Sequence, residues 1–133
     1  PFDLRIGGYG AGAANDYLAA LSGAGKTLYL GPVRLLDTLF PMLMAGVLLL
    51  PLGRRAWRGL AQGLRVALGL PALAYGLCDL GENAAISRLL RADLPVDPEA
   101  VRLASLLTQA KFLTFGLAVL VALALLGLKR RGR

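Results

Sequence analysis

The sequence predicts an all-α membrane protein, a helical bundle with three transmembrane helices and a short amphipathic helix on its outer side. Hydrophobic residues make up 56% of its 133 residues, and its mean hydropathy is +0.62. Soluble domains contain roughly 45 to 50% apolar residues. The apolar residues also form three runs long enough to cross a hydrocarbon layer about 30 Å thick, which takes roughly 20 helical residues. We therefore expect residues 1–133 to form a single integral membrane domain.

Residues 1–29 are rich in glycine and polar side chains, and they are predicted to form an outer amphipathic segment. Within this segment, a helix from about Ala11 to Leu21 would place Tyr17, Leu18 and Leu21 on one side. We expect this helix to lie on the membrane surface, because one of its sides is apolar and the other is polar.

The first two spans are predicted at about residues 33–52 and 60–80. Gly31 and Pro32 precede the first span, and proline is tolerated at the first helical position because its missing amide would have no partner there. The helix of the second span is expected to continue to about Arg91, where its pattern becomes amphipathic.

The third span is predicted at about residues 108–128, within a much longer helix. Asp97 is the expected N-cap of that helix, and Pro98 follows it at the first helical position. An unbroken helix from there to Leu128 would be about 46 Å long, which exceeds the thickness of the hydrocarbon layer. Residues 82–105 are therefore predicted to form a helical hairpin on the outer side.

Two clusters of basic residues predict the orientation of the bundle. Each cluster adjoins the end of an apolar run, and the two clusters are Arg54, Arg55, Arg58 and Arg65, then Lys129, Arg130, Arg131 and Arg133. Loops rich in lysine and arginine stay on the cytoplasmic side of a membrane. No acidic residue lies in 53–59 or 129–133. We therefore predict that residues 53–59 and the C-terminus are cytoplasmic, and that the N-terminal segment lies outside.

A polar N-terminal segment on the outer side requires something that carries it across the membrane. The chain begins at Pro1 and shows no basic stretch followed by an apolar stretch, which is the pattern of a signal peptide. We therefore expect a further N-terminal helix to precede this sequence. The bundle would then have four spans, with both ends in the cytoplasm.

Several classes of function are disfavoured by composition. The net charge of +7 comes from basic residues at the ends of apolar runs, so no nucleic-acid partner is predicted. The chain has no histidine and a single cysteine, Cys78, inside an apolar run, so no cofactor, metal site or disulfide framework is expected. Residues 20–27 match a loose phosphate-loop pattern ending in Gly-Lys-Thr, but no buried strand precedes them, so we predict a linker and no nucleotide site.

A layer of polar side chains is the most informative feature of the sequence. Counting about 20 residues outward from each basic flank places these groups near the outer boundary of the membrane. The candidate polar cluster consists of Arg34, Asp37, Tyr75, Asp79, Glu82, Asn83, Thr108, Gln109 and Lys111. Ionisable groups near hydrocarbon are costly, so they should face the bundle interior and pair with one another. We expect Asp37 to pair with Lys111 and Arg34 to pair with Glu82.

Pro41 adds a backbone group to this cluster. Proline has no amide hydrogen, so the carbonyl of Asp37, four residues earlier, loses its helical partner. On the next span, Tyr75, Asp79 and Glu82 share one helix face and place a hydroxyl below two carboxylates. These groups could form a site for a proton or a ligand.

Three short motifs stand out along the chain: Gly-Gly-Tyr before a helical segment, Asp-x-x-Phe-Pro at Asp37–Pro41, and Asp-x-x-Glu-Asn at Asp79–Asn83. With these motifs the sequence resembles a group of small bacterial inner-membrane proteins of unknown function. The resemblance covers most of the chain and implies a location in the bacterial inner membrane. Members of that group carry an extra first span, which this chain lacks. The resemblance implies no activity.

Three functions remain open from the sequence. In the first, the polar cluster holds the bundle in register, and the protein is a non-enzymatic accessory or scaffolding subunit of a larger respiratory, photosynthetic or transport complex. Its partners would be membrane lipids and other membrane subunits. In the second, the cluster binds or transports a proton, a lipid or a small solute. The third is an enzyme that acts on lipid through carboxylates and a tyrosine, but nothing in the sequence positions a substrate.

Overall fold

The computed structural model describes residues 2–53 and 59–131, and every regular element in these ranges is helical. The elements are a 3-10 turn at Phe2–Leu4, α1 at Ala11–Ala20, α2 at Gly23–Leu28, a π-helical turn at Tyr29–Val33, α3 at Arg34–Gly53, α4 at Gln62–Arg91 and α5 at Pro98–Arg131. Three stretches are long and apolar enough to cross a membrane: Gly23–Gly53, Gln62–Arg91 and Pro98–Gly127. The predicted all-α bundle with three spans is therefore confirmed.

The helix of the first span begins earlier than the sequence pattern indicates. α2 runs into α3 through a kink at Gly31, whose φ of −102° and ψ of −106° are not helical. Pro32 follows the kink and has no amide to donate. The hydroxyl of Ser22 caps α2 by accepting a hydrogen bond from the Gly25 amide at 3.1 Å. The Gly-Lys-Thr segment is thus helical, and the prediction of a linker there is wrong.

The outer turn and the start of α5 follow the predicted pattern. The Asp97 carboxylate accepts hydrogen bonds from the amides of Glu99 at 3.2 Å and Ala100 at 3.3 Å. Asp97 is therefore the N-cap, as its position before Pro98 predicts, and α5 continues without interruption to Arg131.

α4 lies between α3 and α5 and is antiparallel to both. At one end of the bundle, Gly69 of α4 approaches Leu49 and Leu52 of α3. Closer to the other end, Tyr75 of α4 contacts Phe115 of α5 with ring centroids 5.1 Å apart. The end of α3, the start of α4 and the end of α5 therefore share one end of the bundle.

That shared end is the one predicted to face the cytoplasm. Arg65 and the backbone of residues 129–131 lie there. The predicted positions of Arg54, Arg55 and Arg58, and of Arg133, fall outside the described residues. The orientation of the bundle relative to the cytoplasm stays a prediction.

The opposite end carries a folded outer cap, which we define as residues 2–30 together with residues 84–105 of the hairpin. Its core consists of Phe2, Ala14, Leu18, Ala85, Ile86, Leu89, Leu90, Val96, Val101 and Ala104. Tyr17 and Leu21 of the N-terminal segment pack against this core, so the predicted apolar side of α1 contacts protein.

Two hydrogen bonds hold the N-terminal segment on the hairpin. The Val96 amide donates to the Asn15 side-chain oxygen at 2.9 Å, and the Tyr9 amide donates to the Ser105 hydroxyl at 2.9 Å. Gly8 precedes Tyr9 with a φ of 81°, which favours glycine, and a Cβ atom there would lie 2.9 Å from the Ser105 hydroxyl oxygen. Glycine therefore permits both the turn and the close approach to α5.

Candidate binding site

Glu82 of α4 lies at the centre of the candidate site and is fully buried. Its Oε2 atom forms an ion pair with the Lys111 ammonium, and its Oε1 atom accepts a hydrogen bond from the Thr108 hydroxyl. The Lys111 Nζ atom also lies 3.7 Å from Oδ1 of Asp79, and both side chains are only 11% exposed. One lysine thus contacts two carboxylates between α4 and α5.

Tyr75 extends this network towards the middle of the membrane. It is buried one turn before Asp79 along α4, and both residues line the same cavity. Its ring packs against Phe115 of α5. Tyr75, Asp79 and Glu82 therefore all point towards α5, as their spacing along one helix face indicates.

Asn83 connects α4 to α3 through the carbonyl that Pro41 leaves without a helical partner. Its side-chain amide donates a hydrogen bond to the Asp37 carbonyl oxygen at 2.6 Å. The proline and the asparagine thus form a matched pair across two helices, because the first removes a backbone donor and the second replaces it.

A cavity of about 380 Å³ lies beside these groups. Residues of α3, α4 and α5 line it, together with Leu4 of the outer cap. Its lining residues are Leu4, Asp37, Phe40, Pro41, Tyr75, Asp79, Asn83, Lys111, Phe112 and Phe115. Carboxylates, an ammonium group and several aromatic rings therefore line one space at the outer side of the bundle.

The structure brings together most of the predicted polar cluster. The residues that converge are Asp37, Tyr75, Asp79, Glu82, Asn83, Thr108 and Lys111. Arg34 and Gln109 do not join them. Gln109 is exposed and lies against Gly8 in the outer cap. The expected pair of Arg34 with Glu82 does not form, because Glu82 takes Lys111 and Thr108 as its partners among the described residues.

The aromatic rings that line the cavity were not predicted from the sequence. Phe40 precedes Pro41 on α3, whereas on α5 Phe112 directly follows Lys111 and Phe115 lies one turn beyond it. The Lys111 Nζ atom lies 5.2 Å from the Phe112 ring centroid. Phenylalanine in an apolar span has no distinguishing signal by itself, and only its spacing from Lys111 could have drawn attention to these rings.

Over residues 2–53 and 59–131, no set of three histidine, cysteine, aspartate or glutamate side chains is close enough to hold a metal ion. Asp37, Asp79 and Glu82 are therefore distributed around the cavity and the lysine, and they do not converge on a single point. Comparison of the chain with known protein families, curated proteins and solved structures finds no match.

Proposed function

We propose that this protein binds a molecule that carries an ammonium group, in the cavity between α3 and α5 at the outer boundary of the membrane. The observation that carries the proposal is the lining of that cavity. Asp37 and Asp79 line it together with the rings of Phe40, Phe112 and Phe115. Carboxylates and aromatic faces are the two kinds of group that attract an ammonium ion in proteins.

The balance of charge around the cavity supports a cationic ligand. Among the residues that line the cavity, Asp37 and Asp79 carry carboxylates and Lys111 carries an ammonium group. Carboxylates attract a cation more strongly in a site from which water is largely excluded. Phe112 already has the Lys111 ammonium within cation–π distance.

The volume of the cavity limits the size of the ligand. About 380 Å³ is near the lower end of the roughly 300 to 1,000 Å³ found for small-molecule sites. A small free amine fits this space, and so does the head group of a lipid such as phosphatidylethanolamine. The shared chemistry is the ammonium group, and the two sources are distinguished by experiment.

The first experiment measures binding of soluble ions to the purified protein in detergent by titration calorimetry. Butylammonium and tetramethylammonium are expected to bind, whereas the uncharged 1-pentanol and the anion butyrate are not. Asp37→Asn is expected to weaken binding by about tenfold, because it removes one charged acceptor. The matched control is Asp93→Asn, which changes an exposed carboxylate in the outer turn. Equal binding of pentanol and butylammonium would overturn the proposal.

The second experiment tests the lipid source. The protein is reconstituted in nanodiscs that contain phosphatidylethanolamine or phosphatidylglycerol, and retained lipid is measured by mass spectrometry after extraction. Retention of phosphatidylethanolamine that is lost in Asp37→Asn would identify a lipid head group. Binding of soluble ammonium ions without such retention would identify a free amine. If neither probe binds, the proposal is wrong.

An accessory subunit of a membrane complex is the second candidate. Large apolar side chains are exposed along all three spans, for example Leu43, Leu77 and Leu113. Either lipid or a neighbouring membrane protein can cover these faces. Purification in mild detergent, followed by identification of co-eluting proteins, tests this candidate. A monomer with no stoichiometric partner would contradict it.

A further inference from the structure

A second cavity lies at the end of the bundle opposite the outer cap, between the end of α3 and the start of α4. Its volume is about 600 Å³. Its lining residues are Leu49, Leu52, Gly53, Gln62, Arg65, Val66, Gly69 and Leu73. The lining contains one charged side chain, Arg65, and no carboxylate, so the charge of this lining is positive. The lining of the outer cavity, by contrast, contains two carboxylates and one ammonium group.

Arg65 keeps donors that its protein partners do not use. One terminal nitrogen, Nη2, donates to the Leu52 carbonyl oxygen at 3.4 Å, whereas Nε is buried and has no hydrogen-bond partner among the described residues. A guanidinium group has five donor hydrogens in a planar fork, and this geometry matches the oxygens of a phosphate. An anion in the cavity could accept hydrogen bonds from the terminal nitrogens of the Arg65 guanidinium group and would offset its positive charge.

The rest of the cavity is suited to a hydrocarbon chain. Leu49, Leu52, Val66 and Leu73 supply apolar surface, and Val66 and Leu73 are themselves about half exposed on the outside of the bundle. A molecule can therefore contact the cavity and the surrounding lipid at the same time. Free phosphate would leave this apolar surface uncovered, whereas a phospholipid would cover it.

The start of α4 offers further hydrogen-bond donors at this end of the bundle. α4 begins without a side-chain N-cap, so amides of its first turn remain available near Gln62. Basic pockets between transmembrane helices on the cytoplasmic side are typical sites for anionic lipid head groups.

We propose that this inner cavity binds the phosphate head group of an anionic phospholipid, with the phosphate on Arg65 and an acyl chain against Leu49, Val66 and Leu73. The proposal rests on residues at the opposite end of the bundle from the ammonium site. Neither proposal depends on the other.

The test measures lipid affinity of the detergent-solubilised protein by native mass spectrometry. Phosphatidylglycerol and cardiolipin are expected to bind more tightly than phosphatidylcholine. Arg65→Gln is expected to reduce this preference by about tenfold, because the charged donors to the phosphate are lost. The matched control is Arg91→Gln, which changes an exposed arginine at the outer end of the same helix. Equal affinity for phosphatidylglycerol and phosphatidylcholine in the unchanged protein overturns the proposal.

A second variant tests the proposal independently, in case Arg65→Gln does not fold. Val66→Trp keeps the arginine and fills part of the apolar cavity from a half-exposed position. It is expected to weaken lipid binding while the helical circular dichroism signal and the elution volume stay unchanged. Competition by inorganic phosphate at concentrations similar to those of the lipid would show that the site selects the anion alone, and would overturn a lipid ligand.

Discussion

In the outer cap, Leu18, Ile86 and Val101 are almost fully buried, whereas in the spans Leu43 and Leu77 are each 71% exposed and Leu113 is 66% exposed. The polar residues show the reverse arrangement. Glu82 and Thr108 are completely buried where α4 and α5 enter the membrane, while Asp93, Asp97 and Glu99 of the cap are exposed. The two regions of one chain thus bury different kinds of side chain.

This difference indicates that the two regions face different solvents. Water drives the apolar residues of the cap into a core, as in a soluble domain. In the spans, lipid is as apolar as leucine, so close packing and polar contacts must hold the helices together. Gly76 of α4 packs against Ala45 of α3 in this way. A Cβ atom on residue 76 would lie 3.6 Å from the Ala45 Cβ atom. The Glu82 network and the hydrogen bond from Asn83 to Asp37 are the polar counterparts.

The largest effect is expected from removing the buried carboxylate of the spans. Glu82→Ala leaves Lys111 without its closest partner and should lower the free energy of unfolding by roughly 3–5 kcal/mol. Thermal unfolding in detergent measures the change. The comparison variant is Glu99→Ala in the cap, where the carboxylate and its partner Arg102 are 78% and 71% exposed, and a change below about 1 kcal/mol is expected. Similar effects of the two variants would contradict the contrast between the regions.

The second prediction compares a buried leucine of the outer cap with an exposed leucine of the first span. Leu18→Ala removes a buried side chain from the core of the cap and should cost about 2–5 kcal/mol. Leu43→Ala changes a side chain exposed on the first span, and surface changes of this kind stay within about 0.5 kcal/mol. Both variants are followed by thermal unfolding in detergent. Similar losses for the two variants would contradict the assignment of Leu43 to the exposed surface of the bundle.

The smallest effect tests the pairing of Asn83 with Pro41. Asn83→Leu removes the donor to the Asp37 carbonyl and should cost about 1–2 kcal/mol. Pro41→Ala restores a backbone amide that can donate to the same carbonyl. In that background, Asn83→Leu should cost less than half as much, as measured by a double-mutant cycle in detergent. Additive effects of the two changes would show that the hydrogen bond does not replace the missing helical one.

Some features of the site could be predicted because they depend on spacing along one helix. Pro41 identifies the Asp37 carbonyl as an acceptor without a helical partner, and Tyr75, Asp79 and Glu82 lie on one face at any rotation of α4. The partners of these groups depend on how α3 and α5 are rotated about their axes. That rotation places Lys111 against Glu82, excludes Arg34 from the pair, and turns Phe112 and Phe115 towards the cavity.

The outer cap shows the same division. The amphipathic pattern identifies Tyr17 and Leu18 as an apolar side, but does not indicate whether lipid or protein covers it. The contacts with the hairpin supply that answer.

The sequence by itself determines that this protein is an all-α bundle with three spans. It also determines the helix N-cap at Asp97 and a layer of polar residues at similar depth on three helices. These properties follow from hydrophobicity and capping, which act over short stretches of chain. The tertiary structure alone decided the ion pairs, the cavity and the covering of α1. Those features need side chains from different helices to meet, and a repeat along one helix does not specify its rotation against another.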